Sequence, residues 1–368
     1  MVEIDKETAM TSRERMTLIL RKEIPDRMGL YEHFWGETIP EWQKQGLPKD
    51  ADPGVYFDYD MINVGGWFDT SIFPGRDELV EETDAWRVAI DSRGAKLKYW
   101  KGRSGVPEHV GFEIDTKEKW AAVRDRLLTV ERSRLGDLAK AKEGLEAARK
   151  SGKYVVYSNL FVFELLRGII GDENFLPALL LEPEWIRDFC QVYLDHYRGH
   201  YEVLFREVGL PDGMFIYEDF GFRNGLFCSP QTMDELIFPY EKQLVGFFHD
   251  HGLPVLLHSC GDVRKAVPSI IDAGFDCLQP MEAKAGCDVV ELAKTYGRKI
   301  SYMGNIDVTV LSTNDSAKVE AEVLRKVRAM REMRIPYAFH SDHSVPYSVE
   351  FGTYEHAVRV FRENSRYD

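Results

Sequence analysis

Short apolar runs alternate with longer amphipathic stretches along most of this 368-residue chain, and from residue 150 onward the rhythm is regular. YVVYSNL (154–160), GMFIYED (213–219), PVLLHSC (254–260), DCLQPM (276–281), KISYMGNID (299–307) and YAFHSDH (337–343) each read as a strand. Helical patterns lie between and after them, over 184–207, 230–250, 263–273, 288–297, 315–333 and 350–364. Strands that are apolar on both faces and alternate with helices predict parallel βαβ units. Two more strands are predicted near the start, RMGLYEHFW (27–35) and MINVGGW (61–67). Eight strands with their helices predict an α/β fold, a (β/α)8 TIM barrel. A doubly wound sheet would carry a glycine-rich phosphate loop after its first strand, and none is present.

Residues 79–114 break the rhythm. LVEETDAWRVAIDSRGAKLKYW alternates polar and apolar and turns at Ser92-Arg93-Gly94, which predicts an inserted antiparallel β-hairpin region. Helices are expected over 116–128 and 131–150. Residues 1–368 read as a single barrel domain.

Composition narrows the class. The chain is 44% hydrophobic and 29% charged, as a globular protein is, and its net charge of −14 argues against binding nucleic acid or an anionic membrane. No apolar run reaches 18 residues, and the polar N-terminal stretch lacks an apolar signal core, so a cytoplasmic location is expected. Five scattered cysteines, Cys190, Cys228, Cys260, Cys277 and Cys287, read as free thiols with room for one ligand among them, not as a disulfide framework.

In such a barrel the chemistry sits at the C-terminal ends of the strands. There the sequence places Glu218-Asp219, His258-Ser259-Cys260, Glu282, Asn305-Ile306-Asp307 and His340-Ser341-Asp342-His343. Asp, Ser and Asn at such ends also cap helices, so the concentration on one rim says more than any single residue. Residues two apart on a strand point the same way, so His258 and Cys260 can both face the mouth. His343 is the candidate third metal ligand and Glu282 the fourth; imidazole with thiolate favours zinc. On the eighth strand, Phe339, Ser341 and His343 share one face, and His340 and Asp342 the other. A lone His-x-Cys pair at a strand end more often packs or caps than binds a metal, Asp307 is open to a capping role, and Glu218 and Asp219 are open to structural ion pairing.

At this point the motifs resemble a family. The stretches 13-RERMTLILRKEIPDRMGLY-31, 217-YEDFGFRNGLFCSPQTMDELIFPYEKQL-244, 257-LHSCGDV-263, 274-GFDCLQPMEAKAGCDVVELAKTYG-297, 303-MGNID-307 and 341-SDHSVPYSVEFGTYEH-356 follow the order found in the uroporphyrinogen decarboxylase superfamily. The chain resembles that superfamily's cobalamin-dependent methyltransferase branch more than its true decarboxylases. The resemblance implies a (β/α)8 barrel, zinc on the His258–Cys260 pair, and cobalamin carried by a separate corrinoid protein. The family's second ligating cysteine should fall where this chain has His343. The true decarboxylases grip an octa-acid tetrapyrrole with an arginine-rich N-terminal stretch, whereas 31-YEHFWGETIPEWQKQG-46 has no arginine. Eight carboxylates need several guanidiniums for bidentate pairing. The chain also lacks a corrinoid-binding Asp-x-His-x-x-Gly of its own.

The function expected is therefore methyl transfer between a small substrate and a corrinoid protein. Glu218 or Asp219 would serve as proton donor or substrate hydrogen-bonding group. Tyr31, Trp35, Trp67, Asn305 and Asp307 would contact the substrate. Aromatic residues at the first two strand ends suit an aromatic methyl ether, or else pack against the inserted hairpins. Two alternatives stay open: a metal-free decarboxylase of a pyrrole or other acid, and a non-catalytic corrinoid- or tetrapyrrole-binding module.

Overall fold

Eight short parallel strands form the centre of the computed structural model, which describes residues 10–102 and 106–367. In chain order they are Gly29–Leu30, Met61–Asn63, Tyr154–Leu160, Gly213–Tyr217, Val255–Ser259, Cys277–Pro280, Ser301–Met303 and Tyr337–Phe339, here the first to eighth barrel strands. Each pairs in parallel with its successor from the second to the eighth, and the eighth pairs back to the first. The result is the (β/α)8 TIM barrel expected from the sequence. Val155, Val156, Phe215, Leu256, Leu257, Leu278 and Tyr302 are among its fully buried core residues, as strands covered on both faces require.

A side chain helps to close the cylinder between the first and second strands. Asp60 N–H donates to Leu30 O at 2.8 Å, and Leu30 N–H donates to Asp60 Oδ2 at 2.9 Å. Arg15 and Arg27 balance the buried Asp60 carboxylate, each at 2.8 Å.

The predicted insertion is a four-stranded antiparallel sheet of Glu78–Glu82, Trp86–Ile90, Ala95–Trp100 and Glu108–Phe112. It turns at Gly94, whose φ of +86° suits glycine. The helix expected over 116–128 is α-helical only over Lys117–Val123 and tightens into a 3-10 turn over Arg124–Leu127. The one expected over 131–150 begins as a 3-10 turn, Arg132–Leu135, and becomes α-helical over Leu138–Lys150. Gly136, at φ +66°, separates the two parts.

Most barrel strands are shorter than their apolar runs. The second stops at Asn63 because Gly65 and Gly66 take φ values of +91° and +79°. Gly66 is also obligatory in size, since a Cβ there would meet the Tyr157 side chain at 2.3 Å. The eighth stops at Phe339, and beyond it isolated bridges join Ile306 to Ser341 and Phe34 to Val345. The expected alternation holds from Phe339 to His340 and fails by His343, which was expected on the face of Phe339 but reaches Cys260 at the mouth. Phe339 packs against Phe361 of the outer helix Phe351–Asn364, with centroids 4.9 Å apart, while His340 turns inward onto His33. No helix among the described residues is long and apolar enough to cross a membrane.

Candidate metal centre at the barrel mouth

The fifth strand delivers His258 and, one residue past its end, Cys260. Their side chains do converge: Cys260 Sγ lies 3.4 Å from His258 Nε2. His343, carried by the loop after the eighth strand, brings its Nδ1 to 3.8 Å from the same sulfur. Asp219, just past the fourth strand, places Oδ1 at 3.6 Å from His258 Nε2 and accepts the Cys260 backbone N–H at 2.7 Å. Ligand atoms of Asp219, His258 and Cys260 all lie within 4.8 Å of one another. Zinc bond lengths to nitrogen, oxygen and sulfur give tetrahedral edges of roughly 3.3–3.6 Å. Asp219, His258 and Cys260 fit zinc in kind, and the separations from His258 Nε2 to the other two fit it in spacing; His343 approaches the sulfur but stands outside that tight group. Burial and the carboxylates of Asp219 and Glu282 push the Cys260 thiol well up from its usual range. Burial and Lys284 push His343 down.

The turn after Cys260 depends on Gly261, at φ +77°. A Cβ there would meet backbone, Gly221 C at 2.3 Å and Phe222 N at 2.5 Å. Gly261→Ala should therefore cost about 2 kcal/mol or more of stability, read as a lower denaturation midpoint. A midpoint equal to wild type would show that the loop yields without strain.

Beside the cluster lies a cavity of about 290 Å³ lined by Trp67, Leu160, Glu164, Tyr217, Asp219 and His258. The Trp67 and Tyr217 rings are nearly parallel, 22° apart in plane with centroids at 6.4 Å, and Tyr217 approaches the His258 ring at 5.0 Å. Trp35 stands over His343 at 5.8 Å. The other residues expected to contact substrate are placed differently. Tyr31 is buried against the His33 ring and does not line this cavity. Asn305 is buried, its amide spent on the backbone of Met281, Cys287 and Val289. Asp307 caps the turn Val308–Leu311 through Thr309 N–H at 2.7 Å.

Glu218 and Asp219 are adjacent but separated in role. Asp219 faces the mouth. Glu218 is fully buried, and its Oε2 accepts Phe163 N–H at 2.8 Å and Glu164 N–H at 3.2 Å. It caps the helix Val162–Ile169, whose own N-terminal residue offers no side-chain cap. Burial, then Glu241 and Glu164, raise its carboxyl well above the usual range. Glu282 lies outside the tight ligand cluster. It accepts Gly261 N–H at 2.8 Å and pairs with Lys284 at 3.4 Å, bracing the loop that carries Cys260.

Sequence reading passed over Glu164, Gln279, Glu32 and His33, and gave His340 no role. Glu164 lines the cavity from the first turn of its helix, where burial pushes its carboxyl up to about 7 against the pull of Arg167. Gln279 Oε1 lies 2.5 Å from His258 Nδ1. His33 Nδ1 lies 2.9 Å from His340 Nε2, and burial pushes His33 down to about 3. Glu32, raised by burial to about 8, accepts from Ser341 Oγ at 2.7 Å. For Gln279, Glu32, His33 and His340 the available signal was polar residues inside or at the ends of otherwise apolar barrel strands, where burial demands partners; Glu164, on a helix, offered none.

A family model for uroporphyrinogen decarboxylase (URO-D) matches residues 165–364, more than half of the chain. The chain belongs to the URO-D family. No curated protein sequence matches this URO-D-family chain. A solved methyltransferase from Methanosarcina mazei is similar over 96% of this chain and 99% of its own, with a TM-score of 0.64 and 12% identity. That likeness is one of fold. The 3-keto-D-glucoside 4-epimerase from E. coli overlaps 70% of this chain and 96% of its own at 9% identity, and its TM-score of 0.33 is too low to carry an argument.

Proposed function

We propose that this URO-D-family chain is a zinc-dependent methyltransferase that moves a methyl group between a small substrate and a separate corrinoid protein. The observation that carries this reading is the convergence of His258 and Cys260 with Asp219, and the approach of His343 to the same sulfur, beside an aromatic-walled cavity. Three protein ligands leave one coordination position for substrate. When bound, zinc would act there as a Lewis acid on an ether oxygen.

Trp67 and Tyr217 offer ring faces that suit an aromatic methyl ether. Asp219 stands beside the ligands, where it can hold a proton or hydrogen-bond the departing oxygen. In such a transfer the carbon–oxygen electron pair would stay on that oxygen, and a cobalt(I) carried by the partner would supply the pair that takes up the methyl group. The fold shared with a methyltransferase supports the reading. So does the cavity lining, which carries two carboxylates and no lysine or arginine, unlike a grip for an octa-acid tetrapyrrole.

Metal analysis of the purified protein, followed by incubation with cob(I)alamin and methoxylated aromatic compounds, tests the proposal. One zinc per chain and formation of methylcobalamin are expected. Metal-free protein that releases carbon dioxide from a pyrrole acid without any corrinoid would overturn it in favour of a decarboxylase. Tight corrinoid or tetrapyrrole binding with no turnover would instead identify a binding module.

A further inference from the structure

The side chains behind His258 form a hydrogen-bond chain whose direction can be deduced from one end. His340 Nδ1 lies 2.6 Å from the carbonyl oxygen of Ser341. A carbonyl only accepts, so Nδ1 carries the proton and the neutral ring's Nε2 is bare. His33 Nδ1, 2.9 Å from that bare nitrogen, must donate to it. His33 Nε2 is then bare in turn and accepts from Tyr217 OH at 3.3 Å.

Gln279 Nε2 is 3.2 Å from the same bare His340 Nε2 and 3.4 Å from Nδ1. The Nδ1 proton is already directed at Ser341 O, with Glu32 Oε1 at 3.3 Å, so it is not free for a reversed amide, whose oxygen would meet the Nε2 lone pair; this sets the amide orientation. The Gln279 carbonyl oxygen therefore faces His258 Nδ1, and at 2.5 Å that nitrogen must donate. His258 Nε2 is left as a lone pair, 3.4 Å from Cys260 Sγ and 3.6 Å from Asp219 Oδ1. Gln279 and His340 are fully buried, so no bulk water competes for these bonds.

We infer that Gln279 is a positioning residue for the metal centre: with His340 and His33 behind it, its amide holds His258 in the tautomer whose bare Nε2 faces Cys260. This rests on the proposed metal centre. A ligating histidine gains from a partner on its other nitrogen, which fixes ring orientation and tautomer. Here the partner is an amide whose own orientation is imposed from the opposite side of the barrel. Side chains of the first, fourth, sixth and eighth strands or the loops following them thereby determine one nitrogen on the fifth.

Zinc affinity measured by competition with a chromophoric chelator tests this. Gln279→Met, close in shape but without the acceptor, should bind zinc about 10–100-fold more weakly. Gln279→Glu keeps the acceptor for His258 but sets its second oxygen against the His340 Nε2 lone pair, so it should recover part, not all, of the affinity lost in the Met variant. The visible bands of cobalt(II)-substituted protein should move further from wild type in the Met variant than in the Glu variant, which a purely structural role would not produce. Unchanged affinity and bands in Gln279→Met would overturn the inference while leaving the metal centre in place. A wild-type protein that binds no zinc would overturn both. Should the variants fail to fold, imidazole nitrogen-15 shifts of metal-free wild-type protein decide the matter. A proton on Nδ1 of His258 is expected, and a proton on Nε2 alone would refute it.

Discussion

Cys260→Ser should lower zinc affinity by roughly 10²–10³-fold while the barrel stays folded. Structural zinc sites with four protein ligands bind with about 10–16 kcal/mol, roughly 2.5–4 kcal/mol per ligand, and about 1.4 kcal/mol is tenfold. Serine keeps the shape, but its hydroxyl does not supply a thiolate at neutral pH. The fold has little stake in the sulfur. Its partners are His258 Nε2 and His343 Nδ1, whereas the link from this residue to Asp219 runs through the backbone N–H. Chelator competition with a parallel thermal melt separates the two effects. Wild-type affinity in Cys260→Ser would remove the metal centre and the proposed chemistry with it. Cys277→Ser is the control, since that buried sulfur makes a weak contact to Leu278 O at 3.9 Å and a side-chain hydrogen bond with Ser301, neither of them to the metal cluster, and zinc binding should not change.

Asn305→Ala is expected to destabilise the protein by about 3–5 kcal/mol without a specific effect on substrate binding. Asn305 Oδ1 accepts Val289 N–H at 3.0 Å, and Nδ2 donates to Met281 O at 2.5 Å and Cys287 O at 2.9 Å. Truncation leaves three buried main-chain groups without partners, each costing about 1–3 kcal/mol before relaxation. Asn305 also sits at φ +73°, a conformation that asparagine tolerates better than alanine. Denaturant unfolding measures the loss. A variant of wild-type stability that binds substrate poorly would restore the substrate contact expected from the sequence.

The difference between these two residues shows what strand ends reveal. His258 and Cys260 were legible because they end a strand whose apolar run is unambiguous, and alternation over two positions survives there. His343 was legible by chemical type and place, but the alternation used to orient it was not reliable. The eighth strand ends at Phe339, and the loop beyond it follows hydrogen bonds, among them Glu32 to Ser341 N–H at 3.0 Å. Asn305, Asp307 and Glu218 belong to the same rim and look the same in sequence. Capping, turn formation and ligand binding all recruit short polar side chains, so residue type does not separate them.

The sequence by itself determined the architecture. Eight apolar runs alternating with helices, and one polar–apolar insertion, leave little choice but a parallel barrel with an antiparallel sheet set into it, because periodicity and burial are local properties of the chain. It also placed the reactive residues on one rim. Only the tertiary structure decided which of them face one another. Glu218 turned away to cap a helix, Asp219 joined the histidine and thiol, and Gln279 with His340 and His33 took up positions behind His258. Those contacts join residues tens to hundreds of positions apart, and their directions depend on where each strand stops and which buried donor finds an acceptor.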